Sequence, residues 1–206
     1  MNWTAATVSA LFGARRAFAA VALVLCPALA FAEGIEGRVT IARARDYRDA
    51  VIYLAKIPGK TFTPPAAVAN VDQRNLVFQP HVIAVLAGTR VAFPNSDEVG
   101  HNVFSPTKAD HFDLGSYPRG SSRSRTFDTP GIITLLCNVH AEMSAFVIVT
   151  ETPYFAVSDK DGHFLIPDVP PGQYEVIAWH ERAKSVRSTV TVSAGSPAPL
   201  NFELGK

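Results

Sequence analysis

The chain has 206 residues, 19 basic against 18 acidic side chains, and two cysteines. A net charge of +1 argues against nucleic acid or an anionic membrane surface as the main partner, because both select strongly basic proteins. The length allows one or two domains with sizeable hydrophobic cores.

The N-terminal 32 residues have the features of an export signal. Arg15 and Arg16 precede an uncharged apolar stretch, 17–32, that ends in the small-x-small sequence A-F-A. A membrane span needs roughly 20 apolar residues, and this stretch is shorter and contains Pro27. We therefore expect a signal peptide at 1–32, a periplasmic location and no membrane attachment after cleavage. An uncleaved anchor is the alternative, and both general and twin-arginine export remain open.

The remaining sequence has the pattern of an all-β protein. Short apolar or alternating stretches recur between turns rich in Gly, Pro and Asp, which is typical of β-sandwiches and barrels. We expect strands at 36–42, 50–55, 76–78, 82–86, 90–93, 124–127, 132–136, 145–150, 154–157, 164–166, 173–179, 188–192 and 200–204. The Pro-rich segment 56–68 and the polar segment 105–124 are expected to be loops.

Once the export signal is removed, one cysteine and one methionine remain, and they lie in the same short segment. Cys137, His140 and Met143 occur in C-N-V-H-A-E-M. An unpaired cysteine in an exported protein indicates an intermolecular disulfide, a reactive thiol or a metal ligand. An inert buried thiol is the alternative. The spacing favours a metal ligand, because it places a thiolate, an imidazole and a thioether within one loop.

A second histidine would complete the ligand set that copper uses in electron-transfer sites, which is two His, one Cys and a weak axial Met. The candidate is His101, in G-H-N-V-F-S. Each of these residues taken alone could be structural, and zinc is the chemical alternative, but methionine is not a usual zinc ligand. The sequence therefore predicts one type 1 copper ion bound by His101, Cys137, His140 and Met143.

Three segments resemble cupredoxins, the type 1 blue copper proteins of the plastocyanin/azurin superfamily. They are F-Q-P-H-V-I-A-V-L-A-G-T-R-V-A-F-P-N (78–95), H-N-V-F (101–104) and S-R-T-F-D-T-P-G-I-I-T-L-L-C-N-V-H-A-E-M (124–143). The Cys-x2-His-x2-Met spacing resembles the amicyanin ligand loop. This resemblance implies a Greek-key β-sandwich at 61–151 that holds one copper ion.

The same resemblance implies roles for residues around the metal. Asn102 is expected to donate its backbone N–H to the thiolate sulfur and so to connect the two ligand loops, an interaction that tunes a metal site. The carbonyl of Gly100 is expected to approach the metal. The exposed edge of His140 is expected to be the electron port.

A second β-sandwich is indicated by the C-terminal part of the chain. D-K-D-G-H-F-L-I-P-D-V-P-P-G-Q-Y-E-V (159–176) resembles the carboxypeptidase regulatory-like, or transthyretin-like, domain, which has a carbohydrate-binding-like fold. The two strands that begin that domain are matched instead by E-G-R-V-T-I (36–41) and D-A-V-I-Y-L (49–54). We expect a discontinuous domain, 34–60 plus 152–206, with the copper domain inserted into it. Extra N-terminal strands followed by a separate small module are the alternative.

The combination of both modules resembles bacterial methylamine-utilisation-type proteins. That resemblance implies a periplasmic copper protein. From its ligand set we expect it to carry single electrons between redox partners, such as a c-type cytochrome or a periplasmic dehydrogenase. We do not expect an enzyme, because the sequence suggests neither a nucleophile–base–acid set nor a second copper site with three histidines. Copper storage or delivery is an alternative, although delivery sites tend to be rich in methionine. A carbohydrate- or protein-binding module with an accessory copper site is another, suggested by the aromatic residues Tyr154, Phe155, Tyr174 and Trp179.

Overall fold

The computed structural model describes residue 1 and residues 33–206. The predicted signal peptide, Met1 apart, lies outside the described residues. The prediction of an all-β protein is confirmed, because residues 33–206 contain 18 strands and one short 3-10 helix, Lys108–Asp110. Within this part of the chain, no helix has the length and apolar composition needed to cross a bilayer.

The strands alternate with short turns along the whole described chain. In chain order they are β1 (Gly34–Ile41), β2 (Val51–Leu54), β3 (Ala69–Asn70), β4 (Asp72–Arg74), β5 (Val77–Gln79), β6 (Val82–Leu86), β7 (Thr89–Pro94), β8 (His101–Ser105), β9 (Phe112–Tyr117), β10 (Ser122–Phe127), β11 (Gly131–Leu136), β12 (Ser144–Thr150), β13 (Phe155–Val157), β14 (His163–Pro167), β15 (Gly172–His180), β16 (Ala183–Val192), β17 (Ala198–Pro199) and β18 (Phe202–Leu204).

The strands from β3 to β12 enclose one hydrophobic core. A five-stranded sheet with the order β6-β12-β11-β8-β9 faces a three-stranded sheet with the order β10-β7-β3, and β4 pairs with β5 beside them. Side chains alternate across each strand, so that Val91 and Phe93 of β7 and Ile133 and Leu135 of β11 are buried in the same cluster. Cys137 belongs to this cluster as well, which places the thiol at one end of the core.

A second hydrophobic core joins the first two strands to the C-terminal ones. Strand β1 pairs with β14 in antiparallel fashion and with β17 and β18 in parallel. Strand β2 lies between β13 and β15, in a sheet that β16 completes. Ile35 and Ile52 from the N-terminal strands pack in one cluster with Ile166, Val176 and Phe202.

The two cores meet across a small apolar contact. Val51 and Trp179, from the second group of strands, are buried together with Val82 of β6 and Ile148 of β12. The ring of Phe146 packs against Trp179 with their centroids 5.2 Å apart. The strand that follows Cys137 and Met143 is therefore in direct contact with the second group of strands.

The expectation that 105–124 is a loop was wrong. The segment contains the 3-10 helix and β9, and its last residues begin β10. Strand β9 pairs with β8 at the edge of the five-stranded sheet, and only Phe112 and Tyr117 of the strand are buried. An edge strand with one solvated face has a polar composition, which is why the segment resembles a loop in sequence.

Candidate metal centre

The loop between β11 and β12 carries three of the four predicted ligands, and the sheet closes its base. Leu136 pairs with Ser144 across the two strands, so residues 137–143 project from the end of the sheet. Leu136 also pairs with Phe104 of β8, which brings the strand that begins at His101 beside the loop. The backbone N–H of Met143 donates to the carbonyl of His140 at 3.0 Å, which makes the loop a tight turn.

The structure brings His101, Cys137 and His140 together. Their potential ligand atoms all lie within 4.8 Å of one another. The Nδ1 atoms of the two histidines are 3.1 Å apart, and Sγ of Cys137 is 3.9 Å from Nδ1 of His101. His101 is fully buried and Cys137 almost so. Two imidazoles and a thiol that converge in a buried site fit the donor set of copper.

Met143 is fully buried in the same core cluster as Cys137. It is the residue directly before β12, so its backbone position follows that of the first residue of the strand. Its role as the weak axial ligand stays a prediction.

Asp97 is part of the centre, and sequence reasoning missed it. Its Oδ2 atom accepts a hydrogen bond from Nε2 of His101 at 2.9 Å. Because Nε2–H donates to this carboxylate, the neutral ring keeps its lone pair on Nδ1, the atom that faces Cys137 and His140. The orientation and the tautomer of His101 are thus suited to bind a metal. Asp97 lies four residues before His101 in a non-helical segment, a spacing that predicts no contact.

The carboxylate of Asp97 is itself held in place. It accepts the backbone N–H of Asn75 at 2.6 Å and that of Leu76 at 2.9 Å. Burial raises the pKa of this carboxyl, but the hydrogen bonds from Leu76, His101 and Asn75 outweigh burial and hold the pKa below its ordinary value of 3.8. Asp97 is therefore ionised at neutral pH and supplies a fixed negative charge behind His101.

Asn102 connects the two ligand-bearing segments, but through its side chain. Its Oδ1 accepts the backbone N–H of Asn138 at 2.8 Å, and its Nδ2 donates to Asp113 at 2.9 Å. The resemblance implies a hydrogen bond from the backbone N–H of Asn102 to the sulfur of Cys137. Among residues 33–206 the structure has no such bond. The connection between His101 and the 137–143 loop thus depends on an amide side chain that is 1% exposed.

Gly100 lies against β9. A Cβ atom built at this residue would be 3.6 Å from Oγ of Ser116 and 3.7 Å from the carbonyl oxygen of Tyr117, which is ordinary contact. The backbone conformation and the space at position 100 therefore do not require glycine. The approach of its carbonyl to the metal stays a prediction.

A buried tyrosine supports the strand that begins at His101. Tyr117 pairs with His101 across β8 and β9, and its hydroxyl donates to the carbonyl of Phe93 at 2.8 Å. Nε2 of Gln73 donates to the same hydroxyl at 2.5 Å. Burial raises the pKa of Tyr117 to about 12, so the phenol stays protonated and keeps donating. This contact holds β9, β7 and β4 together directly behind the metal centre.

Comparison with known proteins confirms the resemblances to the plastocyanin/azurin family and to the carboxypeptidase regulatory-like domain. The family model of copper binding proteins, plastocyanin/azurin family, matches residues 65–150. The model of the carboxypeptidase regulatory-like domain matches residues 140–205. The two matches overlap at 140–150, and the N-terminal strands β1 and β2 lie outside both. A search of the curated proteins finds no match.

Three of the solved structures that match this chain are distant from it in sequence. Amicyanin from Paracoccus versutus is 22% identical, covers 48% of this chain and 96% of its own, and has a TM-score of 0.39. A purple cupredoxin from Nitrosopumilus maritimus is 20% identical, with 40% and 99% coverage and a TM-score of 0.37. A copper-containing nitrite reductase from Thermus scotoductus is 22% identical over 48% of this chain and 25% of its own, with a TM-score of 0.40.

Proposed function

We propose that this protein carries single electrons by means of one type 1 copper ion bound by His101, Cys137, His140 and Met143. The observation that carries the proposal is the convergence of two imidazoles and a thiol within 4.8 Å at the end of a β-sandwich core. A bound copper ion supplies a one-electron couple. Thiolate, imidazole and thioether together form the ligand set typical of such a couple.

The residues of the chain support this role by holding the ligands still. A site that changes charge without rearranging needs ligands fixed by their surroundings. Asp97 orients the ring of His101, and Asn102 joins that strand to the loop that carries the other three ligands. Burial of His101, Cys137 and Met143 keeps water from the ligand atoms.

We propose His140 as the electron port. It is half-buried, whereas the other three ligands are buried, and its neighbour Val139 is 51% exposed. The ring of His140 therefore offers a covalent route from the site to the protein surface. Redox partners such as a c-type cytochrome or a periplasmic dehydrogenase would approach at this end, in the periplasm, after export by the predicted signal peptide.

We propose that 34–60 and 152–206 form one discontinuous carboxypeptidase regulatory-like sandwich, with the copper domain at 61–151 inserted. The pairing of β1 with β14, β17 and β18, and of β2 with β13 and β15, supports this division. The common core of Ile35, Ile52 and the C-terminal strands supports it as well. The inserted part enters after β2 and leaves before β13, which are adjacent strands of one sheet.

The absorption spectrum of the copper-loaded protein tests the proposed function. We expect an intense visible band from thiolate-to-copper charge transfer and a reversible one-electron wave in voltammetry. The band should vanish in Cys137→Ser and persist in the control His111→Ala, whose ring is exposed and far from the loop in sequence. A colourless protein that binds zinc more tightly than copper, or a band that survives in Cys137→Ser, would refute the proposal.

A further inference from the structure

His81, which is not a predicted ligand, contacts the first residues of β12, the strand that follows the ligand loop. Its Nδ1 atom lies 3.0 Å from the carbonyl oxygen of Ser144 and can only donate to it. Its own carbonyl accepts the backbone N–H of Phe146 at 2.9 Å. The ring also packs edge-on against Phe146, with centroids 5.6 Å apart. His81 therefore holds the start of β12 from both its side chain and its backbone.

Ser144 is one half of the residue pair that closes the ligand loop. Its partner is Leu136, so the pair immediately precedes Cys137 and immediately follows Met143. A displacement of Ser144 along or across the sheet would move the backbone next to both sulfur ligands. The hydrogen bond from His81 thus acts on the residue pair that fixes the positions of Cys137 and Met143.

The other ring nitrogen of His81 reaches the second sandwich. Nε2 is 3.3 Å from Oε2 of Glu181, which lies in the turn between β15 and β16. Ser144 and Glu181 both present acceptors to the ring. A neutral imidazole has one N–H, so both hydrogen bonds exist together only in the imidazolium form.

Charged groups from two further segments surround this contact. A cleft of about 630 Å³ borders the ring of His81. Arg182 Nε lies 3.4 Å from the other oxygen of Glu181. The remaining titratable or charged side chains that line the cleft are Arg43, Arg45, Asp46, Arg48, Asp49 and His180. On the copper-domain side of the ring, the polar partner is the carbonyl of Ser144.

We propose that His81 is a positioning residue through which Glu181 of the second sandwich holds the base of the copper-ligand loop. The inference rests on the proposed function as far as copper is concerned, and it gives the second sandwich a role in that function. Loss of the contact frees Ser144 and its partner Leu136, and the ligand loop becomes more mobile.

Amide hydrogen exchange of the full-length, metal-free protein tests this coupling without reference to copper. In Glu181→Gln we expect the amides of 138–144 to exchange about fivefold faster, the effect of replacing a charged hydrogen-bond acceptor by a neutral one. Glu175→Gln is the matched control, because Glu175 is an exposed carboxylate of the same sandwich that pairs with Arg187 at 2.8 Å. Its loop amides should exchange as in the wild type. His81→Asn retains a donor near the position of Nδ1 but loses the ring packed on Phe146, so its effect should be at least as large as that of Glu181→Gln.

A double variant and the copper-loaded protein separate coupling from general destabilisation. The effects of His81→Asn and Glu181→Gln should not add in the double variant, because both act on the same contact. In loaded protein the reduction potential of Glu181→Gln should differ from that of the wild type, whereas that of Glu175→Gln should equal it. Exchange within twofold of wild type in Glu181→Gln, or additive effects, would overturn the inference. A wild-type protein without the visible band would refute the proposed function, while the exchange result would still decide the coupling.

Discussion

The substitution Asp97→Asn removes the negative charge behind His101 while it preserves the size of the side chain. In the native protein the two carboxylate oxygens accept three hydrogen bonds, from the ring of His101 and from the backbone N–H groups of Asn75 and Leu76. Asparagine supplies one acceptor oxygen for these three donors, and its amide N–H₂ faces at least one N–H group. The ring of His101 then loses the partner that keeps its proton on Nε2.

The expected loss of metal affinity follows from the position of this bond. Removing a hydrogen-bond partner of a metal-ligating histidine typically costs about 10- to 100-fold in affinity, which corresponds to about 1.4–2.8 kcal/mol. We expect the upper part of this range, because His101 is fully buried. The four ligands themselves are unchanged, so the visible band should remain while copper binds more weakly.

Competition with a Cu(I) chelator of known affinity measures this effect. Asp128→Asn is the matched control, since Asp128 is exposed in the turn before β11, and its affinity should equal that of the wild type. An Asp97→Asn protein that binds Cu(I) within twofold of the wild type would refute the assignment of Asp97 as the residue that orients His101.

Two further predictions concern the second sandwich. A Cβ at Gly37 of β1 would overlap the carbonyl oxygen of Leu200, so Gly37→Ala should lower the free energy of unfolding in urea titrations by about 1–3 kcal/mol. The control Gly205→Ala places its Cβ in open space and should change that free energy little. Equal stability of the two variants would contradict the pairing of β1 with the C-terminal strands. Burial lowers the pKa of His180 below 6.5, and its Nδ1 accepts the N–H of Arg182, so the ring contributes stability that is complete above pH 6.5 and decreases as pH falls below that value. In His180→Asn this decrease should be smaller, which urea midpoints measured between about pH 5 and 8 would show. Midpoints that change with pH equally in both proteins would contradict this role of His180.

Much of the fold could be predicted from sequence because its strands alternate. Val91 and Phe93 in β7, and Ile133 and Leu135 in β11, recur at every second residue and are buried, and such a period identifies a half-buried strand without knowledge of its partner. Strand β9 could not be predicted in this way, because an edge strand with a solvated face has few apolar residues.

The ligand loop was predictable because its chemistry is local in sequence. Cys137, His140 and Met143 lie within seven residues, and a short loop between paired strands keeps them close whatever the rest of the fold does. His101 could be named as the fourth ligand from its resemblance to known sites, but its distance from Cys137 depends on the pairing of β8 with β11.

The contacts of the centre beyond its ligands are decided by tertiary structure. Asp97 meets His101 because Asn75 and Leu76 anchor its carboxylate from a different hairpin, and His81 meets Glu181 because two sandwiches pack against each other. The sequence by itself determined most of the strands, the ligand loop and the kind of metal that the loop suits. Which side chains orient those ligands depends on groups far apart in the chain, and strand pairing, rather than any local pattern, brings such groups together.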